Sequence, residues 1–275
     1  MTYKTLLVNV DVGGNNSGLL HVARALADRL DAHVVGSASC QPLQFYYGDG
    51  FISGDLVQQD LTEIDRGLKS AEQRFRHAFT GFDSRIEWHA AVTFSPLSDA
   101  LVKMARGADL IISAADRAGK LNSAHHINSS ELVMHAGRPV LVIPDKVGAL
   151  PLQRVLVGWK DTKEARRAVA DALPLLKLAS KVSVVEFVTA EDIADAKNRL
   201  ASVLSWLARH GITAEVEAIP SSGDHQNEIL SFALSREVDL IVAGAYGHTR
   251  LREWVLGGVT RGLLANSPIC SLMSH

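Results

Sequence analysis

Short branched-aliphatic runs alternate along the chain with longer stretches in which apolar residues recur at helical spacing. The first run, residues 5–11, predicts a buried strand. A Gly/Asn loop leads from it into a helix over residues 17–30, where Leu19, Leu20, Val22, Ala23, Leu26, Ala27 and Leu30 share one face and Ser17 is the candidate N-cap. Residues 34–38 predict a second strand. Residues 42–54 are rich in glycine and aromatics (Phe45, Tyr46, Tyr47, Phe51), carry no period and read as a loop packed over its own domain, with a lid over the first-half pocket or an interaction surface as alternatives. A long amphipathic helix over 55–79, a strand over 85–89, a helix opened by Pro96 and running to about 106, a strand over 109–114, a helix around 130–136 and a strand over 139–143 complete the first half. Mostly apolar strands alternating with helices predict a parallel sheet covered on both faces.

The second half repeats this order. Residues 154–158 answer 5–9, residues 239–242 answer 109–112, and Ser267-Pro268-Ile269 answers Arg138-Pro139-Val140. Between them lie helices at about 164–178, 192–210 and 226–236 and strands at 182–188 and 213–219. The first half carries an extra stretch of roughly 20 residues between its second and third strands, where the aromatic loop lies. The pattern is an internal duplication, giving a domain over 1–146 and a second over 147–275 with 144–151 as linker. Each reads as a five-stranded doubly wound α/β unit, in which ligands bind beyond the carboxyl ends of the strands at the switch point.

Composition narrows the reading little further. At 275 residues, each half is long enough to bury a core; 47% hydrophobic and 21% charged residues are values of a globular protein. A net charge of −2 and no basic stripe give no reason to expect nucleic acid or an anionic membrane surface. The first residues enter a strand with no signal-like apolar core, and no run is long enough to span a bilayer, so the cytoplasm is the expected location and no membrane partner is expected. Cys40 and Cys270 suggest no disulfide framework, and Cys270 reads as a small core residue. His125, His126 and His135 match no zinc pattern with Cys40 or Asp116 and read as solvated, so no metal site is expected. No nucleophile sits in a recognisable elbow or beside an evident base, so no catalytic residue is assigned.

The chemistry concentrates near the end of the chain. The apolar run 238–243 breaks into Gly244-Ala245-Tyr246-Gly247 and, nine residues later, Gly257-Gly258-Val259-Thr260 opens a short apolar helix. Glycines let backbone N–H groups approach an anion, and a helix N-terminus adds unpaired N–H groups and a positive dipole end. Thr260 falls in the first helical turn and offers a hydroxyl, while His248, Arg250, Arg252 and Arg261 lie nearby in sequence.

This Gly-x2-Gly-x9-Gly spacing after "DLIVAGAYG", closed by "SPICSLMS", resembles the nucleotide-binding signature of the universal stress protein family, and the Trp159 region and "EARRAVADALPLL" support the same likeness. The family places Ser or Thr where this chain has Gly258. The resemblance implies strand order 3-2-1-4-5 in each unit, pairing of the two units through their last strands about a pseudo-two-fold axis, and a role in bacterial stress survival. A tandem chain would make that pairing internally, with a homodimer left open. The resemblance also implies an adenine nucleotide, ATP or another, with or without Mg. An aspartate after the first strand commonly contacts the adenosine in that family; Asp11 holds this position in the first half, whereas Lys160 does in the second, with Asp161 beside it. The second-half contact would then fall to Asp161 or to backbone around Gly158 and Phe187, or Lys160 would turn to a phosphate. The first half aligns Ala114, Arg117, Ile127 and Asn128 with the four glycines, and no triphosphate is expected there. The expected nucleotide site is therefore Gly158, Lys160, Asp161, Phe187, Gly244, Gly247, His248, Arg250, Gly257, Gly258, Val259 and Thr260. The leading function is a nucleotide-responsive switch or scaffold acting on an unknown protein partner. The alternatives are a ligand-free interaction module with vestigial pockets, or a weak ATPase.

Overall fold

The computed structural model describes residues 2–43, 54–116, 124–246, 258–265 and 267–275. The first half contributes strands β1 (Thr5–Asn9), β2 (His33–Cys40), β3 (Ile86–Val92), β4 (Leu110–Ala114) and β5 (Val140–Ile143). The second contributes β6 (Arg154–Gly158), β7 (Lys181–Val188), β8 (Ala214–Pro220), β9 (Leu240–Gly244) and β10 (Cys270–Ser274). Helices α1 (Ser17–Leu30), α2 (Gly54–Ala78), α3 (Leu97–Met104) and α4 (Ser129–His135) connect the first set; α5 (Lys163–Leu176), α6 (Ile193–Arg209), α7 (His225–Ser235) and α8 (Gly258–Ala265) connect the second. The strands form one ten-stranded sheet in the order β3-β2-β1-β4-β5-β10-β9-β6-β7-β8. Each half thus reads 3-2-1-4-5 and is parallel throughout. The halves meet where β10 runs antiparallel to β5, with Leu272 opposite Leu141.

Strands buried on both faces must be apolar at successive positions, and β1, β4 and β5 are buried along nearly their whole lengths. Alternate residues feed two cores. Leu6, Val8, Val155 and Val157 pack with α1, α2, α5 and α6 on one face. Leu7, Ile111, Leu156 and Ile241 pack with α3, α4, α7 and α8 on the other. Each core draws side chains from both halves. The repeat is legible even in the strand entrances: Asp109 Oδ2 accepts from the backbone of Lys4 (2.7 Å) and Thr5 (3.0 Å), and Asp239 Oδ2 accepts from Gln153 (2.7 Å) and Arg154 (3.4 Å).

Predicted elements and observed ones agree within a few residues, and the differences have local causes. β1 stops at Asn9 rather than Asp11 because the Asn16 side chain takes both Asp11 backbone groups, accepting from its N–H (3.0 Å) and donating to its C=O (2.8 Å). Asn16, not Ser17, therefore stands in the cap position of α1, and no side chain caps that helix. α5 ends at Leu176, after which Leu178 and Ala179 donate to Leu175 and Leu176 in a tighter i→i−3 turn. Part of the extra length of the first half is helical: α2 has 25 residues and α6 has 17. The aromatic stretch Phe45–Phe51 lies outside the described residues.

Candidate functional site

Each half has a switch point. β1 leads to α1 on one face while its neighbour β4 leads toward α4 on the other, and β6 and β9 diverge in the same way into α5 and α8. A crevice beyond the carboxyl ends of such a strand pair is where a doubly wound sheet holds a ligand. The two crevices are equipped in opposite ways.

In the first half the crevice is spanned by side chains of the chain itself. Asp11 follows β1, Asp116 follows β4, and His126 lies between them, with Nδ1 2.7 Å from Asp11 Oδ2 and Nε2 3.6 Å from Asp116 Oδ1. The three side chains are only 6%, 3% and 4% exposed, in the order Asp11, Asp116, His126. Burial of the ring disfavours its charged form, but its hydrogen bond to Asp11 and the charges of both carboxylates outweigh this and push His126 up to about 9. Asp116 Oδ1 also accepts from the backbone of Ser129 (2.7 Å), and its own N–H donates to Leu264 C=O of α8 in the second half (3.0 Å). Asn128 caps α4, accepting from Ser130 and Glu131 backbone N–H groups. The residue aligned with Gly258 therefore serves its own helix.

The reading of His126 as solvated is corrected, whereas His125 is exposed as expected. His126 is buried against two carboxylates, and His125 Nδ1 lies 3.3 Å from Cys40 Sγ. Burial, with the charge of Asp60 adding to it, pushes the Cys40 thiol up to about 11, so this pair is not an activated nucleophile. The sequence signal was present: an aspartate follows each of two adjacent central strands, and a buried acid pair calls for a cation. Among the described residues no group of three or more His, Cys, Asp or Glu is arranged to hold a metal ion.

In the second half Lys160 stands exposed where Asp11 stands in the first, and Tyr246, at φ 61°, stands where Asp116 does. The switch point has exchanged an acidic pair for a lysine and a phenol. Asp161 is turned aside into an ion pair with Arg166 (2.6 Å), and Thr162 caps α5 by accepting from Ala165 N–H (3.3 Å). Phe187, at the end of β7, packs edge-on against Phe232 of α7 with ring centroids 6.3 Å apart. Gly158 ends β6 under the same helix; a Cβ there would lie 2.5 Å from Ile229 Cδ1.

Gly244 ends β9, and a Cβ there would lie 2.5 Å from Ala165 N and from Glu164 C. Packing of α5 onto the strand alone accounts for glycine at that position. Gly258 opens α8, Val259 is half-buried and Thr260 sits in the first turn at 5% exposure. Gly247, His248, Arg250 and Gly257 lie outside the described residues. A hollow lined by Arg154, Lys181, Ser183, Phe232 and Arg236 lies at the opposite, amino-terminal ends of β6 and β7 and holds none of these residues.

The fold is a tandem doubly wound α/β sheet with a strand-end crevice in each half. The model of the universal stress protein family matches residues 151–273, so the second half is a universal stress protein domain. The whole chain is similar to a universal stress protein from Archaeoglobus fulgidus DSM 4304, with a TM-score of 0.73 and 16% identity over 98% of this chain and 97% of that one. It is also similar to a functionally unknown protein from Pseudomonas aeruginosa PAO1, with a TM-score of 0.61 and 18% identity over 99% and 92% of the two chains. No curated protein matches the chain. No helix among the described residues is long and apolar enough to cross a membrane.

Proposed function

We propose that the chain binds one adenine nucleotide, in the second-half crevice beyond β6 and β9, and works as a nucleotide-responsive switch or scaffold in a stress response. The observation that carries this reading is the contrast between the two switch points. The first is filled by an acid–imidazole–acid bridge, while the second presents the exposed Lys160 above a strand that runs through a glycine-containing segment to the N-terminus of α8. A lysine replacing an aspartate favours an anion, and the first turn of α8 supplies unpaired N–H groups and the positive end of its dipole.

Within this reading Lys160 and the N-terminal N–H groups of α8 meet phosphate. Backbone around Gly158 and the Phe187 ring border the base, and Asp161 keeps Arg166 at the rim. The glycine-rich residues Gly247 and Gly257, with His248 and Arg250, complete the site by sequence pattern. The nucleotide is ATP or a relative of it, with or without Mg. A change at the surface of the second-half crevice on binding is what a protein partner would read, and internal pairing of the halves supplies the dimer-like frame. Domains at 1–146 and 147–275 belong to the same proposal. The test is nucleotide affinity in Lys160→Glu: because Lys160 is exposed, the variant folds, and loss of about tenfold or more in affinity is expected from reversing one charge beside a phosphate. Unchanged affinity would remove Lys160 from the site.

A further inference from the structure

We propose that His126, as an imidazolium, is an internal ligand: it closes the first-half crevice between Asp11 and Asp116 and, through Asp116, latches that half to the C-terminal end of α8. Three observations carry this. The ring bridges the ends of β1 and β4 at the switch point, the place where a doubly wound sheet holds a ligand, with all three side chains less than a tenth exposed. Two buried carboxylates on either side of one ring repel unless a cation lies between them, and the imidazolium lies there, hydrogen-bonded to Asp11 and charge-paired with Asp116. Finally, the carboxylate facing the ring's second nitrogen at 3.6 Å belongs to a residue whose backbone is committed elsewhere: Asp116 N–H donates to Leu264 C=O. Carbonyls in the last turn of a helix have no partner within the helix, so α8 is completed at its C-terminus by the other half of the chain.

Among the described residues, Asp11 and Asp116 form ion pairs with no cation other than this ring. Asp11 faces it from the β1 loop and Asp116 from the β4 loop. His125, next in sequence, is turned to Cys40 of β2, and Glu131 of α4 accepts from Ser98 Oγ of α3 at 3.0 Å. Tyr246 feels the charge of Asp116 from the second half. Loss of the proton leaves Asp11 and Asp116 facing a neutral ring that can donate to only one of them at a time. Asp11 Oδ1 and His126 Nε2 already lack a hydrogen-bond partner, so the bridge is held by charge more than by a complete set of hydrogen bonds. The crevice then opens at the Asp116 side and the tie to α8 loosens. Since α8 is the helix that begins with Gly258, Val259 and Thr260, the latch acts on the second half from a site in the first.

Amide hydrogen exchange on the ligand-free full chain tests this without any nucleotide, so its outcome is independent of the function proposed above. In the native protein the protection factor of the Asp116 amide should fall by about tenfold or more between pH 7 and pH 10, while those of Val203 and Leu207 in α6 stay constant. In His126→Gln the Asp116 amide should already be poorly protected at pH 7, with no further fall. Asp116 protection that tracks the α6 amides over the whole pH range would overturn the proposal, and this outcome can be read in the native chain even if His126→Gln does not fold. Equal Asp116 protection in a folded His126→Gln variant would overturn it as well.

Discussion

At the scale of single residues, charge and close contact decide the outcome. His126 gains its proton in the folded state: its value rises from 6.5 to about 9, so the stabilisation is fully present below about pH 6.5, declines as pH rises and is gone above about pH 9. The shift corresponds to about 2 to 3 kcal/mol at most. Thermal unfolding of native protein and His126→Gln should therefore differ most near pH 6 and converge by pH 10, and a gap that is constant over that range would contradict the assignment. Gly244 makes a prediction of the opposite kind. A methyl at that position would press on the backbone of Glu164 and Ala165, which has no flexible side chain to move aside. Gly244→Ala should cost about 1–3 kcal/mol in denaturant unfolding, whatever its effect on ligands. A neutral result would mean that α5 shifts freely on β9.

At the scale of elements, the amphipathic helices hold the sheet through a few large side chains. α2 buries Ile64, Leu68, Ala71 and Phe75 along one stripe, and Phe75 stacks between Phe79 and Trp88, with centroid distances of 4.8 and 5.3 Å. Gly36 of β2 makes room for this cluster, since a Cβ there would lie 2.7 Å from both Phe75 and Trp88. Phe75→Ala should cost about 3–5 kcal/mol in equilibrium unfolding, and a loss below about 1 kcal/mol would show that the helix repacks. These elements were legible in the sequence because their apolar positions recur every three or four residues, and the strands because both faces are buried. What the sequence left unread was polar. The Asn16 clamp on Asp11 and the bridge through His126 join residues 5 and 115 positions apart, and no periodicity marks such pairs. The glycines, in turn, invited a single explanation: Gly244 read as part of a phosphate loop, whereas its contacts with α5 require glycine in any case.

At the scale of the molecule, the two halves share one topology and differ at their crevices. The two halves share aspartates at the strand entrances and the 3-2-1-4-5 order, and they join edge to edge at β5 and β10. Because both cores cross this junction, the chain should unfold in one cooperative transition. A fragment of residues 147–275 would leave β10 as an apolar open edge, and it should pair with a second copy of itself through that strand. A monomeric, well-folded fragment by sedimentation would show that the junction contributes little. The two crevices differ at matching positions: Asp11 and Asp116 flank His126 in the first half, while Lys160 and Tyr246 stand at those places in the second.

The measurement that tests this account most directly is calorimetric titration of the nucleotide-stripped full chain with ATP, ADP and AMP, alongside Lys160→Glu. The account predicts one site per chain, weakened about tenfold or more in the variant, because it assigns the phosphates to Lys160 in the second-half crevice. Two sites per chain, one site indifferent to Lys160→Glu, or no heat from any nucleotide with folded protein would contradict it.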